Sequence, residues 1–263
     1  MTSMVRLSVV LAVHNEERQL ANCLEAVKSL ADEFVVVDGE SSDATVQIAT
    51  SFGAKIIHTT NKVNFHINKQ MAIDAAAYEL IFQLDADEVA DPDLVAFIMD
   101  LKTQAIPTSD NAVVAWTIAR KNYFLSRWLS KGGQYPDRVI RLFYAGKARL
   151  PQKNVHEQLE VSGQVAIGRG HLLHYANPTF RDYMVKFNRY TTAEAVRLKE
   201  NAVLVPSVFQ SFVAKPFSTL FSLYLRHRGY VDGMPGFLFA LLSALHHPFV
   251  WLKYKELTYE HTD

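Results

Sequence analysis

Only one of the 263 residues is a cysteine, Cys23. A lone thiol excludes an internal disulfide and fits a reducing compartment. Cys23 lies in a helical pattern with no electropositive setting around it, so it reads as packing and not as a nucleophile. Neither charge is in excess: Lys plus Arg and Asp plus Glu are both 27. A formal net charge of zero removes the overall electrostatic case for nucleic acid and leaves only local basic patches. No apolar run reaches about 18 residues, so no spanning helix is expected. The apolar N-terminal stretch has no small-residue cleavage site and reads as a first strand, not a signal peptide. The expected location is therefore cytoplasmic. Glycine-rich phosphate loops are missing too. Without Gly-x-Gly-x-x-Gly or Gly-x-x-x-x-Gly-Lys-Ser/Thr, a dinucleotide dehydrogenase and a P-loop enzyme are both disfavoured. No internal repeat or low-complexity linker breaks the chain, which is long enough to bury a core without staples.

What is present begins with Leu80, Ile81, Phe82 and Leu84, an apolar run that fits a buried strand. It stops at Asp85-Ala86-Asp87-Glu88. Unpaired charges cannot continue a buried run, so these carboxylates belong at the carboxyl end of the strand, where open α/β sheets place ligands. Carboxylates grouped there suit a hard divalent cation that bridges to phosphate. Asp-x-Asp also occurs by chance in acidic turns, so its context has to carry the reading.

The context is an alternation. Leu7–Val13 is a β-branched strand ending at His14-Asn15-Glu16-Glu17, where Asn15 can cap a following helix. Leu20, Leu24 and Val27 mark one helix face. Phe34–Val37 is a second strand ending at Asp38, followed by a turn in which Ser42 or Asp43 is available as cap. Val46, Ala49 and Phe52 give the next helix, which Gly53 is placed to end. Lys55–Ile57 is a short strand, and Ile67, Met71 and Ala75 form a helix leading into the strand before Asp85. Leu94, Phe97, Ile98 and Leu101 follow behind Pro92. Four strand–helix repeats predict a mostly parallel sheet with helices on both faces. Right-handed crossovers would bring Asn15-Glu16, Asp38 and Asp85–Asp87 to one edge.

These segments resemble the family 2 glycosyltransferases of the A-type fold. Leu7–Glu17 (LSVVLAVHNEE), Ala31–Val46 (ADEFVVVDGESSDATV), Phe65–Gln70 (FHINKQ) and Leu84–Glu88 (LDADE) carry the resemblance, in order. It implies that Val13, Asn15, Glu16 and Asp38 line a pocket for the nucleotide base and ribose. Lys69 would contact the base or phosphate. Asp85 and Asp87 would be the ribose and metal motif, with Asp87 holding Mg2+ or Mn2+ against the diphosphate. The family more usually has Tyr or Phe where this chain has His14.

Further on, Val113–Phe124 and Asp137–Tyr144 read as strands. Arg-Lys-Asn-Tyr at 120–123, Gly-Gly-x-Tyr-Pro-Asp-Arg at 132–138, Arg-Leu-Phe at 141–143 and Val-His-Glu at 155–157 resemble the subgroup that adds sugars to the lipopolysaccharide core. An inverting transferase needs one base for the acceptor hydroxyl and positive charge on the departing diphosphate. Glu157 is the first choice for base and Asp137 the second. A surface salt bridge from Glu157 to Lys153 or Arg149 is the plainer alternative. His156 and His174 are metal-ligand candidates, although either could be an ordinary core or surface histidine. Arg138 and Arg141 stand three apart, so they face opposite sides of a strand. One of them, taken as Arg138, would reach the donor.

From Thr179 the pattern turns helical. Catalytic residues are expected within 1–178, split into a nucleotide-sugar half (1–103) and an acceptor half (104–178). A helical extension is expected over 179–263. Val208–Arg228 and Met234–Leu257 mix aromatic, aliphatic and basic residues, which suits an interfacial helix on an anionic membrane, a subunit contact, or plain core packing. His246-His247-Pro248 interrupts the second apolar run. The expected function is metal-dependent, inverting transfer of a hexose, with UDP-glucose as donor and a saccharide or lipid-linked saccharide as acceptor. The protein would lie in the cytoplasm or on the inner face of the cytoplasmic membrane. Two competing classes are a nucleotidyltransferase that makes the sugar nucleotide and a non-catalytic sugar-nucleotide or glycan binder. A nucleotidyltransferase would be expected to carry a glycine-rich first loop, which His14-Asn15-Glu16 is not. The carboxylate set with a base argues against a passive binder.

Overall fold

A computed structural model describes residues 4–62, 64–107, 109, 111–151, 158–201 and 206–259. The first hundred residues alternate as the apolar spacing predicts: β1 (Leu7–Val13), α1 (Leu20–Val27), β2 (Glu33–Gly39), α2 (Thr45–Ser51), β3 (Lys55–Thr59), α3 (His66–Asp74) and β4 (Leu80–Leu84). A short β5 (Glu88–Ala90) and α4 (Pro92–Lys102) come next. Then follow β6 (Val113–Phe124), β7 (Arg127–Trp128), β8 (Asp137–Tyr144), β9 (Ala148–Arg149), β10 (Glu160–Val161) and β11 (Gln164–Asn177). The main sheet runs β3-β2-β1-β4-β8-β6-β11-β5. Its β3-β2-β1-β4 half is parallel, and β8, β6 and β5 join by antiparallel pairs.

Alternation along β1 assigns its two faces. Leu7, Val9, Leu11 and Val13 pack with Leu20 and Leu24 of α1, Ala49 of α2 and Leu94 of α4. Val10 points the other way, with Val35, Val37, Ile81 and Ala72 of α3. Period 2 therefore sorts the strand residues into two buried layers, each covered by helices. Each wholly buried Leu or Val contributes about 1.5–3 kcal/mol relative to exposure. Sequence and structure agree on α4: Asp91 caps it by accepting from Leu94 N at 2.9 Å, behind Pro92.

The start of α1 differs from expectation. Asn15 does not cap it. Its backbone is left-handed, with φ 56°, and α1 begins only at Leu20 without a side-chain cap. Asn15 Oδ1 instead accepts from Ser42 N at 2.8 Å, and Ser41 Oγ accepts from Asn15 N at 2.9 Å. Bonds across some two dozen residues outcompete a local cap here, and asparagine tolerates the left-handed region better than most residues.

Gly170 marks a close approach of β11 to α4. Its φ is +78°, and a Cβ there would collide with the backbone of Asp93 and Leu94. Gly170→Ala should therefore lower stability by about 2 kcal/mol or more, combining left-handed strain with overpacking. A shifted urea midpoint with unchanged m-value would show it.

The chain divides into two compact units, one of residues 1–120 and 137–174, the other of 121–136 and 175–263. In the second, α5 (Phe180–Glu200) starts at Thr179, whose side chain accepts from Asp182 N. Two π-helical turns, Gln210–Ala214 and Phe221–Arg226, flank α6 (Lys215–Leu220). A 3-10 turn at Gly229–Asp232 leads into α7 (Gly233–Tyr259). His246-His247-Pro248 does not end α7, which runs on as one helix with Pro248 buried inside it. Gly229–Tyr259 is thus long and apolar enough, by length and composition, to cross a membrane, where the sequence reading expects no such helix. In this fold it packs along α5, with Phe187 against Phe249 at 5.3 Å and Lys253 Nζ donating to Asn188 O at 2.8 Å.

Candidate active site

Parallel register brings the strand ends together. Val13 pairs with Asp38, and Asp38 with His58. Leu84, the last residue of β4, pairs with Leu11 of the same β1. The carboxyl ends of β1, β2, β3 and β4 therefore share one edge, as expected from the crossovers.

At the β1–β2 side, Asp38 is buried and accepts from Ser41 N at 3.2 Å. His58 Nδ1 lies 3.4 Å from its Oδ2. The His14 ring holds Gly39 O through Nδ1 at 2.7 Å. Glu16 N donates to Thr45 Oγ1 at 2.7 Å, tying the β1 turn to the start of α2. His14, Asn15, Ser41 and Ser42 thus build the walls of the edge.

At the β4 side the acidic cluster is organised by one cation. Arg141 of β8 donates through NH2 to Asp85 Oδ2 at 2.5 Å and to Glu88 Oε1 at 2.7 Å, and its NH1 bonds Gln83. Lys69 of α3 makes a second ion pair with Asp85. Glu88 is fully buried, and Arg120 NH1 stands 3.5 Å from it. Burial alone would push the Asp85 carboxyl up. The Arg141 guanidinium and Lys69 ammonium outweigh that and hold it well below the usual carboxylate range. The same carboxylates hold the Arg141 guanidinium above its ordinary value against the effect of burial. Cys23 is buried nearby, its Sγ 3.5 Å from Asp85 O. Burial, together with Glu88, Asp87 and Asp85, pushes that thiol up, which leaves it a packing residue.

Asp87 has a different setting. It points to His174 on β11, with Oδ2 3.6 Å from Nε2. Strand pairing explains the meeting, because His174 stands opposite Glu88 in the β11–β5 ladder. A carboxylate and an imidazole facing each other are a donor pair that would suit a divalent cation. Among the described residues no three or more His, Cys, Asp or Glu are placed to hold a metal ion together. A cation held by Asp87 and His174 would therefore complete its shell with water and phosphate, as Mg2+ commonly does.

Asp137 is ion-paired to Arg120, whose Nε and NH2 approach Oδ2 at 3.0 and 2.7 Å. Arg138 is exposed on β8, opposite Ala119. Arg141 meets the acidic cluster, and a register shift at Trp116/Thr117 leaves Arg141 as the extra residue of a β-bulge, so the strict alternation expected between Arg138 and Arg141 does not hold. Glu157 and His156 lie outside the described residues. The sequence reading gives Arg120 and Gln83 no role, and takes Glu88 only as part of the acidic run after β4. Charge balance was the available signal, since buried acids after β4 require buried cations.

The carboxyl edge of the parallel strands thus gathers one guanidinium-held carboxylate and one carboxylate facing a histidine, at the place where open α/β sheets bind ligands. Residues 8–159 match the family model described as glycosyl transferase family 2. The match spans more than half of the chain, and the chain belongs to that family; it is a glycosyltransferase of the A-type fold. It is similar to the lipopolysaccharide core biosynthesis glycosyltransferase LpsC of Rhizobium meliloti, with 29% identity covering 90% of each chain. An uncharacterized glycosyltransferase of Rickettsia typhi, RT0209, is 25% identical over 92% of this chain and 84% of its own. The solved structure of S. aureus TarS 1-349 covers 98% of this chain and 92% of that one, at 15% identity and a TM-score of 0.41.

Proposed function

We propose that this glycosyltransferase is metal-dependent and inverting, and moves a hexose, glucose from UDP-glucose, to a saccharide of the lipopolysaccharide inner core. The observation that carries the reading is the division of labour after β4: Asp85 is committed to Arg141 and Lys69, while Asp87 faces His174 at 3.6 Å. The likeness to LpsC supports the acceptor class.

In this reading Val13, Asn15, Glu16 and Asp38 receive the base and ribose, with Asp85 and Lys69 beside them. Asp87 and His174 would hold Mg2+ or Mn2+, which would neutralise charge on the leaving diphosphate. Arg138, exposed on β8, adds positive charge to the donor. Glu157 takes the proton from the acceptor hydroxyl as that oxygen bonds to the anomeric carbon and the bond to the β-phosphate oxygen breaks. Asp137 serves the base role less well, because it would have to give up its ion pair with Arg120.

The experiment is transfer from labelled UDP-glucose to core-truncated lipopolysaccharide, with Mn2+ or Mg2+ and with chelator. Label appearing in the lipid fraction only with metal supports the proposal. Pyrophosphate release from a nucleoside triphosphate and a sugar phosphate, without transfer, would favour the nucleotidyltransferase reading. A thermal-shift series over nucleoside diphosphates identifies the base, because a ligand that binds only the folded state raises the melting temperature.

A further inference from the structure

The second unit carries an unusual outer face along residues 208–228. Phe209, Val213, Phe217, Phe221 and Leu225 recur every four residues and are all exposed, Phe209 and Phe217 by 66% and 69%. An α-helix turns such a ladder by about 40° a step, and a π-helix, with about 4.4 residues per turn, sets it back by a similar angle. Interleaving π, α and π turns over Gln210–Arg226 therefore keeps this ladder on one side. The inner side is already used: Phe212 meets Trp251 at 5.5 Å, Thr219 Oγ1 lies 2.9 Å from His247 Nε2, and Tyr224 meets Phe237 at 5.5 Å. Those contacts seat the segment antiparallel on α7 and leave its apolar ladder outside.

The charge on this region has one sign. Between Glu200 and Glu256 the only acid is Asp232, against the basic residues Lys215, Arg226, Arg228, Lys253 and Lys255. Asp232 is buried and faces inward, accepting from Ser130 N, Ser130 Oγ and Lys131 N at 3.1, 2.7 and 2.9 Å. Lys253 is also turned inward, onto α5. Lys215, Arg226 and Arg228 are exposed beside the aromatic ladder.

We propose that the outer face of the 208–228 segment is an interfacial docking surface for a bilayer rich in anionic phospholipid headgroups. Exposed phenylalanines next to lysine and arginine, with no acid within the 208–228 segment itself and Glu194 of α5 the acid that shares a cavity with Lys215, match the chemistry of such an interface. A second copy of this chain fits less well, since it would set basic residues against basic residues across the apolar patch. The surface rests on the proposed function only in its purpose, which is to hold the enzyme where a lipid-linked acceptor lies; its test needs no donor or acceptor.

The test is flotation of the full chain with vesicles of phosphatidylglycerol and phosphatidylethanolamine, and with phosphatidylcholine alone. The intact protein should float with the anionic vesicles at low salt, stay behind with the neutral ones, and be released by high salt. Lys215→Glu and Arg226→Glu should each weaken partition by roughly fivefold or more. The combined variant Phe209→Ser, Phe217→Ser, Phe221→Ser should abolish flotation while keeping its circular dichroism and melting temperature. Three results would overturn the proposal: no flotation of the intact protein, flotation of the triple variant equal to wild type, or binding that survives both high salt and alkaline carbonate. A dimer that the serine variant dissolves, with no vesicle binding, would assign the face to a second copy instead.

Discussion

Replacing Arg141 with methionine should cost the fold about 3–5 kcal/mol, the usual consequence of removing one partner from a buried ion pair. Methionine keeps much of the stem volume, so the loss is electrostatic rather than a cavity. Glu88, fully buried, would keep Arg120 at 3.5 Å and its bond from Asp85 N, and Asp85 would keep Lys69, but both would lose their closest guanidinium. Urea unfolding at neutral pH reads the change as a lower midpoint. The pH dependence has a defined sign. Asp85 has a depressed folded-state pKa, so its contribution is present above the unfolded carboxylate value of about 3.9 and is lost as the pH falls below it. The variant has less of this contribution to lose. Its stability gap from wild type should therefore narrow as the pH drops below about 4. A gap that stays constant or widens in acid would mean that Arg141 does not act through Asp85.

Glu157→Gln should lower turnover by about 10²–10⁴-fold, the range that general-base catalysis typically contributes. Glutamine keeps the shape and the hydrogen bonding but cannot take a proton at neutral pH. Donor affinity should hardly move, because the base acts on the acceptor hydroxyl. That split separates a base from a metal ligand, whose loss weakens donor binding as well. Asp137→Asn is the paired control and should retain most turnover, since it loses an ion pair to Arg120 and not the proton acceptor. If Asp137→Asn abolished turnover with donor affinity intact and Glu157→Gln stayed active, the two roles would be exchanged.

Much of this could be read before any coordinates. The runs at Leu7–Val13, Phe34–Val37 and Leu80–Leu84 alternate with helix-spaced leucines, and that spacing alone yields the parallel half of the sheet. The carboxylates closing β4 follow from the cost of burying charge. Other features depend on pairings that no local pattern contains. Period 2 would set Arg138 and Arg141 on opposite faces, but the register shift between β6 and β8, which no local pattern contains, interrupts the alternation at Arg141. Asn15 looks like a helix cap, yet its partners Ser41 and Ser42 are distant in sequence. β5 is three residues long and reads as part of an acidic turn until β11 pairs with it, bringing His174 to Asp87. The length of α7 was hidden by Pro248, which the helix absorbs.

The central claim is that Asp87 holds a divalent cation against the diphosphate of the donor, and calorimetry of UDP binding with Mn2+ tests it most directly. Wild type should bind UDP far more tightly with Mn2+ than with chelator. Asp87→Ala should lose that metal-dependent gain while keeping its melting temperature, because the change removes a ligand and no core contact. Unchanged binding of UDP and Mn2+ by a folded Asp87→Ala variant would contradict the account.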